Sequence, residues 1–334
     1  MKSFAVCAML VISSGAAYAA PRAELPVRAL MPERLHVTVG AASGDAAYGG
    51  ESLDVAHPDA TRALIFVHGE QRDADVYERI AEKALALGSA GHATFLIVPQ
   101  FLETQDVADR RDRNLLRWSK GRWIDGLPAD DPSPISSFSV LDAILDRLAD
   151  RTAFPALKTV VIAGHSAGAQ LVQRYAAVGR EERALRERGI AVRYVVANPS
   201  SYVYFNADRP TGQGSFAPFD ASQCPSFDHW KYGLGHLPPY VAADTIPHLE
   251  DAYAARDVVY LIGTADNDPH QAALDRTCPA EAQGPQRYAR AHAYFSYLQQ
   301  RHPAFAQRIF DVPGAGHSAT AMFTSATALP ILFE

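Results

Sequence analysis

Cysteine is scarce in this chain, with three in 334 residues, and the sequence contains no C-x-x-C, no H-E-x-x-H and no G-x-x-x-x-G-K-[ST]. Those absences exclude the thioredoxin-type redox motif, the helical zinc-protease motif and the phosphate-cradling loop of P-loop nucleotide enzymes. There is no excess of basic residues either: 31 Lys and Arg face 37 Asp and Glu, a formal net charge of −6. Nucleic acid is held by a basic face that neutralises phosphates, so no nucleic-acid partner is expected. The arginines that do cluster, Arg110, Arg111 and Arg113, alternate with Asp109 and Asp112 and read as a solvated face. Long apolar runs are missing as well. Beyond the N-terminus each run is broken by a charge or a glycine within about ten residues, short of the 18 or so that a membrane span needs.

What is present is the composition of a globular protein, 48% apolar and 20% charged, long enough for one large core or two smaller ones. At the N-terminus, Lys2 precedes an apolar run, Phe4 to Ile12. Small residues follow, ending in the Ala17-Tyr18-Ala19 pattern of a signal-peptide cleavage site. The expectation is a signal peptide over residues 1–19, a mature single domain over 20–334, and a periplasmic or secreted location. Cys7 leaves with the signal. Cys224 and Cys278 are then the two cysteines of an exported protein, and in an oxidising compartment they are expected to be bonded to each other.

Apolar runs and helical patterns then alternate. Arg62 to Gly69 is a run ending in glycine, Asp75 to Leu87 has apolar residues at helical spacing, and Ala93 to Pro99 is a second run. The theme repeats with a helix from about Ser139 to Asp150, a strand from Thr159 to Ala163, a helix from Ala167 to Val178 and a strand from Val192 to Ala197. It closes with Asp257 to Gly263, a helix from about Pro285 to Arg301, and Gln307 to Val312. Continuous apolar strands alternating with helices predict a mainly parallel central sheet with helices on both faces. Leu35 to Val39 and Leu53 to Val55 alternate instead, and are expected to form an antiparallel edge. Residues 199–250 break the rhythm with dense Pro, Gly and aromatics, and read as a lid-like, pocket-forming insertion.

The chemistry concentrates at Gly164-His165-Ser166-Ala167-Gly168. A strand runs straight into this G-x-S-x-G and a helix leaves it, with small residues flanking the serine, which is the context of a nucleophile elbow. With this motif the chain resembles the α/β-hydrolase family from about residue 34 to the C-terminus. The resemblance implies a Ser-His-Asp triad in the chain order Ser, acid, His, each after a successive strand. Ser166 is the nucleophile. Asp266, in the Gly263-Thr264-Ala265-Asp266 turn, matches the family's acid position, with Asp268 as the competitor, and His317 follows the last strand. For the oxyanion the family uses the backbone amide after the nucleophile, here Ala167, and one from the loop after His68-Gly69, here Glu70 or Gln71. That loop departs from the glycine-rich form, because an acidic side chain follows Gly69; Arg72 is a candidate to neutralise it, and His68 reads as structural.

The two long connections leave the carboxyl ends of strands, where open α/β sheets bind ligands. Tyr202 and Tyr204 on one, with Trp118 and Trp123 on the other, are therefore expected to wall the pocket. No cofactor is implied. The Gly314 to Ala319 G-x-G-x-x-A match lacks the following acid and strand of a dinucleotide site, and His229, His236 and His248 with Asp228 and Asp244 fit no metal-ligand spacing. The reading is an exported serine hydrolase acting on a small-molecule or polymeric ester. Amide or peptide cleavage by the same triad and a non-catalytic binding protein on the same fold are the alternatives.

Overall fold

The computed structural model describes residues 22–107, 112–212 and 214–334. The signal-peptide reading of residues 1–19, and Asp109, Arg110 and Arg111 of the charged cluster, lie outside the described residues.

Eight strands form one sheet: β1 (Glu33–Val39), β2 (Ala42–Gly50), β3 (Arg62–Val67), β4 (Thr94–Gln100), β5 (Thr159–His165), β6 (Ala191–Ala197), β7 (Asp257–Gly263) and β8 (Arg308–Val312). Their spatial order is β1-β2-β4-β3-β5-β6-β7-β8. The β1–β2 and β2–β4 pairs are antiparallel and the other five are parallel. Side chains alternate across a strand, and here both faces are apolar. Ala63, Ile65, Val67, Val160 and Ile162 belong to one buried layer, and Leu64, Phe66, Val161 and Ala163 to the other. Helix α1 (Ala74–Leu87) covers the second layer with Tyr77, Ile80, Ala81 and Ala84. Helices α2 (Ser137–Leu148), α3 (Ala167–Val178) and α4 (Arg287–Arg301) cover the first.

The antiparallel edge differs from expectation. Its second strand is Ala42–Gly50, and Leu53 lies in the turn that follows. This stretch carries no apolar alternation; pairing with β1 and β4 makes it a strand. Its small residues are needed where neighbours close in, since a Cβ on Gly49 would meet the Met31 side chain at 1.9 Å.

Residues 199–250, expected as a lid-like insertion, pack onto the first layer instead, and none of their described residues lines the cleft at Ser166. Tyr202 stacks on Tyr294 of α4 with ring centroids 4.6 Å apart, and Tyr204 meets Tyr297 at 4.6 Å. The Arg209 guanidinium lies over the Tyr204 ring, Trp230 Nε1 donates to the Asp125 carbonyl at 2.7 Å, and Tyr240 donates to Asp142. The segment's aromatic area is spent against the tyrosine-rich face of α4. The expected disulfide is present: Cys224 is bonded to Cys278, Cα atoms 5.9 Å apart, tying this segment to the chain between β7 and α4.

Candidate active site

Strand β5 ends at His165 and α3 begins at Ala167, so a single residue makes the turn. Ser166 adopts φ 57° and ψ −117°, a left-handed conformation that a side chain rarely takes and that surrounding structure must impose. The flanking glycines allow it. A Cβ on Gly168 would lie 2.4 Å from the His68 carbonyl oxygen, and one on Gly164 would lie 2.5 Å from the Gly168 carbonyl group. The Ser166 amide donates to the Ala197 carbonyl at 3.0 Å, fixing the turn to β6.

The ends of β7 and β8 bring two further residues to this serine. Ser166 Oγ lies 2.9 Å from His317 Nε2, and His317 Nδ1 lies 2.7 Å from Asp266 Oδ2. A carboxylate only accepts, so Nδ1 carries the proton and Nε2 is left to accept from the serine hydroxyl. Asp266 is buried. Asp268 is exposed and its Oδ1 accepts from the His270 amide at 2.8 Å, so it takes no part in this chain of hydrogen bonds.

Residues around these three hold the arrangement, and of them sequence reasoning singles out only His68. Asn198, at the end of β6 with φ 51°, accepts from the Gly263 amide at 2.9 Å and donates to the Gly316 carbonyl at 3.3 Å, tying the acid strand to the histidine loop. A non-glycine residue at positive φ ahead of Pro199 marks it only once coordinates exist. His165 is buried, with Nδ1 3.3 Å from the Tyr77 hydroxyl and no partner for Nε2 among the described residues. Burial first, then the nearby His317 and Arg287, keep His165 neutral well below the usual histidine range. His68 is structural: Nδ1 donates to the Gly69 carbonyl at 2.8 Å and Nε2 accepts from the Phe101 amide at 2.9 Å. Burial lowers its pKa to about 4.

The amides of Ala167 and of Glu70 and Gln71, the candidate oxyanion donors, have no hydrogen-bond acceptor among the described residues. Arg72 does not neutralise the Glu70 carboxylate. It is itself buried, bonded to Asp106 at 2.7 Å and to the carbonyls of Ala23, Leu25 and Glu70, while the Glu70 side chain faces solvent.

A cleft of about 700 Å³ opens at Ser166 and His317. Its apolar wall is Val76, Tyr77 and Ile80 of α1 with Ala272, Ala273 and Ala319; among the described residues its polar side carries the carboxylates of Glu24, Glu70 and Asp73 and the guanidinium of Arg22. Trp118, Trp123, Tyr202 and Tyr204, expected as its walls, are at most 1% exposed and sit in the core. Aromatic side chains follow the largest burial available to them, and here that is the layer under α2, α3 and α4.

No family model matches this chain, and no curated protein does. Among solved structures it is similar to poly(aspartic acid) hydrolase-1 from Sphingomonas sp. KT-1, at 23% identity and TM-score 0.58, covering 91% of this chain and 100% of the other. It is also similar to LpqC, a poly(3-hydroxybutyrate) depolymerase from Bordetella parapertussis, at 18% identity and TM-score 0.57, covering 87% and 88%. This is the α/β-hydrolase fold. In that fold Ser166 occupies the elbow after the central strand β5, and Asp266 and His317 stand at the carboxyl ends of the two strands beyond β6. Among the described residues no helix is long and apolar enough to cross a membrane, and no three His, Cys, Asp or Glu cluster as a metal site.

Proposed function

We propose that the protein is an exported serine hydrolase that cleaves a carboxylic ester through an acyl-enzyme on Ser166. The observation that carries the reading is the unbroken chain Asp266–His317–Ser166, with bonds of 2.7 and 2.9 Å. As Ser166 Oγ attacks the ester carbonyl, its proton passes to His317 Nε2, and Asp266 stabilises the imidazolium through Nδ1. The oxyanion forms against the amides of Ala167 and Glu70. Collapse expels the alcohol, which takes the proton from His317. Water then repeats the sequence on the acyl-enzyme, releasing the acid and restoring the serine hydroxyl.

Export rests on the N-terminal pattern over residues 1–19 and on the Cys224–Cys278 bond, which suits an oxidising compartment. The remaining chain, from residue 20, acts as one domain. The carboxylates along the cleft outnumber its one arginine, and so favour neutral substrates over anionic ones of equal size. A fluorophosphonate probe tests the reading. Labelling of the wild type that vanishes in Ser166→Ala, with parallel loss of p-nitrophenyl ester hydrolysis, supports it. No labelling favours a binding protein, and faster turnover of anilides than of matched esters assigns the site to amides.

A further inference from the structure

Arg287 is the first residue of α4, yet it is a cation placed where the helix dipole disfavours one. It is also buried, with 1% of its surface exposed. Burying a guanidinium is costly unless its donors are met, and since Nε has no partner among the described residues, the partners of the two Nη atoms must explain its position. Nη1 donates to Asp266 Oδ1 at 3.3 Å and to Gln271 Oε1 at 3.0 Å, and Nη2 donates to the Ala273 carbonyl at 2.6 Å. Asp266 thus spends one oxygen on His317 and the other on Arg287. Gln271 and Ala273 line the cleft beside Ser166.

We infer that Arg287 is a positioning residue that locks the triad acid and the adjoining cleft wall into one unit. The inference rests on the triad reading above. A carboxylate bonded on one oxygen alone can rotate about its last torsion and carry the imidazole with it. A second, charged donor removes that freedom. The same fork sets the wall against which the substrate lies, so catalytic geometry and binding geometry share one anchor. The charged and titratable groups around the guanidinium are Asp266, Glu70 and Asp275, with Arg290 one turn along α4 and with His317 and the neutral His165 across the site.

Arg287→Met and Arg287→Lys test it, with kcat and KM followed on a p-nitrophenyl ester between about pH 5 and pH 9. Without the guanidinium the Asp266 charge is no longer offset and favours the imidazolium of His317. The acid limb of kcat/KM in Arg287→Met is therefore expected to move up by about half a pH unit or more. Lysine keeps the charge and loses the fork: its limb stays at the wild-type position while KM rises several-fold. Superimposed limbs for the wild type and a folded Arg287→Met overturn the inference. Should Arg287→Met not fold, Arg287→Lys decides, and an unchanged KM overturns it. Absence of Ser166-dependent fluorophosphonate labelling in the wild type overturns the triad reading and this inference together. Normal labelling with superimposed limbs overturns this inference alone.

Discussion

The His165 ring lies against the His317 ring, centroids 4.6 Å apart and planes tilted by 37°. Burial holds His165 neutral, and the contact adds to this, since a proton on both rings would set two cations together. Burial does the same to His68, whose Nε2 must stay unprotonated to accept from Phe101. Both groups bind protons less tightly in the folded protein than in the unfolded chain. Their contribution is thus complete above about pH 6.5 and is lost as pH falls below it, for His68 until about pH 4. Thermal stability should fall between pH 7 and pH 5. The fall should be shallower in His68→Gln, which can donate and accept at the same places. Asp142, whose pKa burial raises to about 6, opposes this trend but is common to both proteins. Equal slopes in a melting series would remove His68 from the account.

Gly168 is required by a close approach and not by its dihedral angles. A Cβ there would lie 2.4 and 2.5 Å from the backbone oxygens of His68 and Val67, atoms that cannot move without shifting β3. Gly168→Ala should cost on the order of 1–3 kcal/mol and displace the serine turn. A lower melting temperature with slower fluorophosphonate labelling is expected. Gly91→Ala is the control, since nothing lies within 4 Å of its added methyl, and it should alter neither measurement. Normal labelling by Gly168→Ala would show that the elbow tolerates a wider turn.

The parallel strands were legible because a strand covered on both faces must be apolar throughout, as Leu64, Ile65, Phe66 and Val67 are. Helix α3 was legible to the residue, because the G-x-S-x-G turn fixes where it starts. The juxtaposition of Ser166, Asp266 and His317 follows from neighbouring strands that end on one side of the sheet. Strand β2 was hidden, since Ala42 to Gly50 owes its conformation to two partners and not to its own side chains. Arg287 carried no local signal either: its partners Asp266, Gln271 and Ala273 reach it only through folding. Aromatic density in the sequence misplaces the cleft, because Tyr202 and Trp123 satisfy burial while the wall is built from Val76, Tyr77 and Ile80 of α1 and three alanines.

The bond between Cys224 and Cys278 closes a loop of 54 residues that runs from the aromatic segment past the acid strand. Chain entropy gives such a bridge about 4 kcal/mol of stabilisation. Cys278 lies five residues beyond Ala273 of the cleft wall, so its loss should loosen binding more than chemistry. Cys224→Ser with Cys278→Ser is expected to lower the urea midpoint and to raise KM several-fold with kcat retained. A proportionate loss of kcat at unchanged KM would place the effect on the triad itself.

Ile80 and Tyr202 make opposite predictions for acyl specificity. Ile80 lines the cleft on α1, whereas Tyr202 is fully buried against Tyr294 and its hydroxyl has no partner among the described residues. Each methylene that a substrate buries against an apolar wall is worth about 0.8 kcal/mol, so kcat/KM should climb with acyl length until the cleft is filled. Ile80→Ala widens the wall and should move the optimum to longer chains. Ile80→Trp should move it to shorter ones. Tyr202→Phe should leave the profile unchanged, and should not lower stability, because it removes a buried hydroxyl that bonds to nothing. A panel of p-nitrophenyl esters from acetate to octanoate reads all three. An optimum that shifts with Tyr202→Phe and not with the Ile80 variants would return the pocket to the aromatic segment.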